Sequence, residues 1–171
     1  PKTSSAASDV YKRQPWRRPG YVKVADAIRW VSPSPAAARA VFEARGEILT
    51  VPGKKGDVRN LTQSPGVHER SPAWSPDGKS IDYFSDEGGE YHLVIRDHKG
   101  HDAPTRIRFD NPSFYYEPSW SPDSKKIVFT DKRLNLWYVD VESKKAVRVD
   151  NDNFDHPVRS LNPSWAPDSK W

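Results

Sequence analysis

The chain has 171 residues, 35% of them hydrophobic, with 27 Lys and Arg against 23 Asp and Glu, and neither Cys nor Met. No stretch approaches the roughly 20 consecutive apolar residues of a membrane helix, and the lack of Cys excludes disulfides, thiolate metal sites and thiol catalysis. With no initiator Met, the sequence is expected to be a fragment of a longer reading frame.

The formal net charge of +4 sits at one end. Lys2, Lys12, Arg13, Arg17 and Arg18 against Asp9 account for all of it, so residues 21–171 are balanced. A nucleic-acid binder needs its basic stripe on the folded body, where it can track phosphates, and this body has none. Residues 1–20 are expected to form a disordered basic leader. Within it, residues 1–14 have no apolar h-region, so they are not a secretory signal. They resemble the non-native tails found at the ends of assembled reading frames.

Self-similarity organises the rest. Pro72-Ala-Trp-Ser-Pro-Asp-Gly-Lys79 recurs as Pro118-Ser-Trp-Ser-Pro-Asp-Ser-Lys125 and as Pro163-Ser-Trp-Ala-Pro-Asp-Ser-Lys170, with Trp74, Trp120 and Trp165 spaced 46 and 45 residues apart. A worn copy, Pro33-Ser-Pro-Ala-Ala-Ala38, precedes them with Ser34 lying 41 residues before Ser75. A period of about 40 to 46 residues is that of a four-stranded propeller blade.

Each period also divides into four short strands. The first ends at the Trp and leads into a Ser-Pro-Asp-Gly or Ser-Pro-Asp-Ser turn, where Pro presets φ and Asp bonds the local backbone. The second strand is read at Ser80–Ser85 and Lys126–Thr130, the third at Tyr91–Arg96 and Leu134–Val139, and the fourth at Thr105–Phe109 and Ala146–Val149. Pro35–Ala40, helical by propensity alone, is read from its place in the repeat as a worn turn entering a strand. Its Ala36-Ala-Ala38 lacks the Asp and Gly that ease a tight turn. The tryptophans should fill the wedge between adjacent sheets.

The expected fold is therefore all-β, a partial β-propeller of about three four-stranded antiparallel blades and the start of a fourth. The blades are placed at about residues 27–62, 68–109, 114–150 and 159–171.

The Trp-Ser-Pro-Asp-Gly-Lys motif resembles the broad class of TolB-type propeller repeats. Longer stretches, Arg45–Pro52, Gly56–Trp74, Phe84–Tyr91 and Thr130–Asp140, are similar to the second, seven-bladed propeller of tricorn-type serine peptidases, over about residues 21–171. That resemblance implies a non-catalytic segment that gates or guides peptides to a serine peptidase domain lying further along the parent protein. It also implies peptide substrates as partners, a cytoplasmic, homo-oligomeric parent, and no catalytic residue in this segment. A TolB-like protein-binding scaffold without enzymatic activity is the alternative, and the propeller of a prolyl-oligopeptidase-like hydrolase a third reading.

Residues just before each motif Pro fall on the innermost strand, which borders a propeller's central channel. Glu69, Arg70, Tyr116, Glu117 and Arg159 are the candidate channel-lining residues. No cofactor or metal is expected. His98-Lys-Gly-His101-Asp102 is a Gly-containing turn short of the three or four converging ligands a metal needs. Asp150–Asp155 departs from a calcium loop at Phe154 and Asp155. There is no Gly-x-Ser-x-Gly and no Gly-rich phosphate loop.

Overall fold

A computed structural model describes residues 23–152 and 161–170. The leader, Arg159 and Ser160 lie outside the described residues. Among the described residues, a 3-10 turn at Ala25–Ala27 is followed by twelve strands: β1 Ile28–Pro33, β2 Arg39–Ala44, β3 Glu47–Pro52, β4 Arg59–Asn60, β5 Glu69–Trp74, β6 Ser80–Ser85, β7 His92–Asp97, β8 Thr105–Ile107, β9 Tyr115–Trp120, β10 Lys126–Asp131, β11 Asn135–Asp140 and β12 Lys145–Asn151. They form three antiparallel four-stranded sheets in sequential order, β1–β4, β5–β8 and β9–β12. Between sheets, β5 touches both β1 and β9. The first strand of each sheet thus borders the first strand of the next, as in blades fanned about an axis.

The turn after each first strand repeats the same chemistry. Gly78 N–H donates to Ser75 O at 2.9 Å, Ser124 N–H to Ser121 O at 2.8 Å and Ser169 N–H to Ala166 O at 2.9 Å. Asp77 Oδ1 accepts from Ser75 Oγ (2.6 Å) and Lys79 N–H (3.0 Å), and Asp123 Oδ1 does the same with Ser121 Oγ and Lys125 N–H. These bonds close an Asx-type turn. Its fourth residue is left-handed in every copy: Ala37 at φ 50°, Gly78 at 72°, Ser124 at 60° and Ser169 at 61°. The worn first copy makes the same closure, Ala37 N–H to Ser34 O at 2.8 Å, without an Asp to brace it.

Where that fourth residue is Ser, its hydroxyl crosses to the preceding blade. Ser124 Oγ accepts from Asp77 N–H at 3.0 Å and Ser169 Oγ from Asp123 N–H at 2.9 Å. Ser124→Ala should therefore cost about 0.5–1.5 kcal/mol, the net worth of one hydrogen bond. Thermal melting of the two proteins would measure it, and an unchanged midpoint would rule the contact out as a tie between blades.

The core lies between the sheets. Trp74 packs with Val41, Ile48 and Leu61 of the first sheet and with Ile81, Tyr83 and Val94 of its own. Trp120 likewise joins Phe84, Leu93, Ile95 and Ile107 of the second sheet to Ile127, Phe129 and Val139 of the third. Each indole fills the wedge left by two twisted sheets.

The indole nitrogens, however, meet different surroundings. Trp120 Nε1 donates to Asp82 Oδ1 at 2.7 Å and Trp165 Nε1 to Ser119 O at 3.1 Å, whereas Trp74 Nε1 is buried without an acceptor among the described residues. In the repeat, Val41 takes the position that Asp82 holds one blade later.

Strand ends differ from the sequence expectation by one or two residues, with β12 running on to Asn151 and β8 stopping short. Alternation runs the fourth strand through Phe109, but β8 ends at Ile107. The Phe109 ring instead sits 4.6 Å from Tyr115 and 5.2 Å from Phe129. Burial against the next blade takes precedence over the local pattern.

Candidate functional site

The first strands are interrupted just before their prolines. Register slips between Arg70 and Ala73 in β5 and between Ser119 and Tyr116 in β9, and Ser71 and Glu117 at these bulges have φ of 52° and 48°. A bulge bends the strand and re-aims the side chains beside it. Ser71 N–H, released from the ladder, donates to Glu43 Oε2 of the preceding blade at 2.9 Å. Glu43, at the end of β2 and 7% exposed, thereby pins the bulge across the blade boundary.

At this end of the first strands, Arg70 enters a cluster of rings. Its Cζ lies 3.9 Å from the Phe114 centroid, 5.5 Å from Tyr116 and 5.9 Å from Tyr91. Phe114 meets Tyr91 edge-on at 5.2 Å and Tyr116 at 5.1 Å. Tyr91 Oη and His68 Nδ1 share a hydrogen bond of 2.9 Å.

Main-chain bonds hold these parts in place. His68 N–H donates to Asp86 Oδ1 and Asp86 N–H to His68 O, tying the chain before β5 to the turn between β6 and β7. Lys132 N–H donates to Phe114 O one blade later.

Burial lowers the Arg70 pKa from its ordinary value, with Tyr91, Glu43 and Tyr116 acting in the opposite sense. A guanidinium stays protonated regardless. Its Nη1 is buried, and no acceptor among the described residues bonds to it. The charge is therefore held by ring faces and by the nearby Glu43 carboxylate, with Nη1 buried and unbonded among the described residues.

The sequence candidates separate on this frame. Glu69 and Arg70 are neighbours on one strand and leave it on opposite sides. Glu69 is only 4% exposed, and its Oε1 accepts from Ser64 Oγ at 2.6 Å, so it is withdrawn from any open bore. Burial raises its pKa, hydrogen bonds from Ser64 and Thr62 lower it, and the charges of Glu47 and Glu87 raise it. Tyr116 is 38% exposed, Glu117 is also exposed, and both border a cleft of about 210 Å³ completed by Thr130, Asp131, Lys132, Leu134 and Leu161. Arg70, Tyr116 and Glu117 thus share one end of two adjacent first strands. Arg159 lies outside the described residues.

Sequence reasoning missed Phe114, Tyr91 and Glu43, which complete the site. The run Phe114-Tyr115-Tyr116 was the available signal. The His98–Asp102 turn serves the core instead: His98 lies 5.8 Å from Trp74 and its Nδ1 bonds Lys79 O at 3.1 Å. No helix among the described residues is long and apolar enough to cross a membrane.

These sheets are three consecutive blades of a β-propeller, and their fold is that of the TolB and tricorn propellers. The chain is similar in structure to TolB of Agrobacterium tumefaciens, with a TM-score of 0.61 at 20% identity over 71% of this chain and 48% of that one. It is similar to TolB of Acinetobacter baumannii at 0.61 and 21%, over 81% and 35% of the two chains. For the tricorn protease the TM-score is 0.54 at 15% identity, over 67% and 14%.

In sequence, 101 residues are 31% identical to dipeptidyl-peptidase 5 of Porphyromonas gingivalis, covering 55% of this chain and 15% of that protein. No family profile matches the chain. It spans under half the length of each of these relatives.

Proposed function

We propose that these blades are the non-catalytic, peptide-guiding part of a tricorn-like serine peptidase, cytoplasmic and homo-oligomeric as a whole. The observation that carries this reading is the placement of half-buried Arg70 and exposed Tyr116 and Glu117 at the ends of adjacent first strands, where a polypeptide would thread. Sequence similarity to a dipeptidyl peptidase and structural likeness to the tricorn protease support it. A fold can serve many functions, so the site and not the architecture has to decide.

The test uses the full-length parent protein. Glu117→Lys should lower kcat/KM for long unfolded polypeptides about fivefold or more, while cleavage of a two-residue chromogenic substrate stays unchanged. Equal effects on both substrates, or none on either, would defeat the gating role.

Likeness to two TolB structures supports a second reading, a protein-binding scaffold without activity. A parent protein that cleaves no peptide would favour it.

A further inference from the structure

We infer that Arg70 is a carboxylate anchor, binding either the α-carboxylate of a peptide or an Asp or Glu side chain within one. This deepens the peptide-binding reading above and rests on it. A guanidinium stacked on a ring has its face occupied and its fork of N–H donors left in the ring-parallel plane. The Arg70 Cζ lies 3.9 Å over the Phe114 ring, and no acceptor among the described residues bonds its buried Nη1.

The acid whose charge acts on Arg70, Glu43, does not bond the guanidinium. Glu43 commits Oε2 to the Ser71 N–H. A half-buried guanidinium flanked by Tyr91 and Tyr116 is a costly arrangement unless a planar acceptor completes it, because buried donors left unbonded cost about 1–3 kcal/mol. A carboxylate supplies two parallel acceptors in that plane. The half-exposed Tyr116 ring gives the adjacent backbone a surface to lie on.

The test is calorimetric titration of the full chain with four ten-residue acetylated peptides of one neutral sequence. One has a free C-terminus, one is amidated, one is amidated with a single internal Glu, and one is amidated with Gln at that position. A carboxylate peptide should bind at least tenfold more tightly than its neutral counterpart. Preference for the free C-terminus alone assigns the α-carboxylate, and preference for the Glu peptide alone assigns an acidic side chain.

Arg70→Gln should abolish the preference, and Arg70→Lys should reduce it while keeping the charge, since an ammonium cannot offer the fork. Both variants must melt within a few degrees of the parent chain to be compared. Neutral peptides binding as tightly as charged ones, or a preference that survives Arg70→Gln, would overturn the carboxylate assignment and leave peptide binding standing. No binding by any of the four would overturn both.

Discussion

Trp120→Ala should remove most or all of the chain's cooperative stability. The indole is 8% exposed and spans the second and third sheets through Phe84, Leu93, Ile95 and Ile107 on one side and Ile127, Phe129 and Val139 on the other. Truncating a buried aromatic costs about 3–5 kcal/mol, because the transfer term is lost and the cavity only partly closes. Against a total stability of about 5–15 kcal/mol for an ordinary domain, that is a large share. Losing the Nε1–H bond to Asp82 also strips a donor from a fully buried carboxyl, for about 1–3 kcal/mol more.

A milder pair of variants separates packing from hydrogen bonding. Trp120→Phe and Trp74→Phe each remove a similar volume at equivalent repeat positions, and both indoles are 8% exposed. Of the two, Trp120 has an acceptor to lose, since Trp74 Nε1 has no acceptor among the described residues. Urea unfolding followed by circular dichroism should find Trp120→Phe more destabilising by about 1–3 kcal/mol. Equal costs would mean the Asp82 bond contributes nothing to holding the blades together.

The parts of the molecule legible in its sequence are those the repeat dictates. The Ser-Pro-Asp turns set a register that places β6 and β10 within a residue, because Pro and Asp constrain the backbone locally whatever surrounds them. The wedge role of Trp74 and Trp120 follows from the same spacing. Phe109 was misread because its ring answers to the next blade and not to its own strand.

The site divides in the same way. Arg70, Tyr116 and Glu117 fall on repeat positions and could be nominated. Phe114 lies in a blade crossing and Tyr91 directly before β7, and the period fixes the direction of neither ring, so their convergence on Arg70 needed coordinates. Alternation also treats adjacent residues alike until a face is chosen, which is why Glu69 and Arg70 were paired although the strand sends them apart.

The Asp82 carboxyl should make this protein less stable as pH rises from about 4 to about 8, the reverse of the usual contribution of a carboxylate. Asp82 is completely buried, its Oδ2 has no partner among the described residues, and burial pushes its pKa from 3.8 up to about 8, against the Trp120 hydrogen bond and backbone N–H groups of Asp82 and Ala73 that lower it. Below about pH 4 the group is protonated in the folded and unfolded chains alike, so it adds no pH dependence. Between the two pKa values the unfolded chain loses its proton while the folded one keeps it, and stability falls by about 1.4 kcal/mol per pH unit. The decline levels off above about pH 8, where both forms are ionised, after a total of about 4–6 kcal/mol.

Asp82→Asn removes this dependence while keeping an oxygen for Trp120. Its amide puts two N–H groups where the protonated carboxyl puts one O–H, leaving one further buried donor without an acceptor, at a cost of about 1–3 kcal/mol. The variant should therefore be the less stable protein near pH 4 and the more stable one above about pH 7, with the two stability curves crossing between. Urea midpoints measured at unit steps from pH 4 to pH 9 would test this, and parallel curves for the two proteins would mean that Asp82 is already ionised in the fold and compensated by its surroundings.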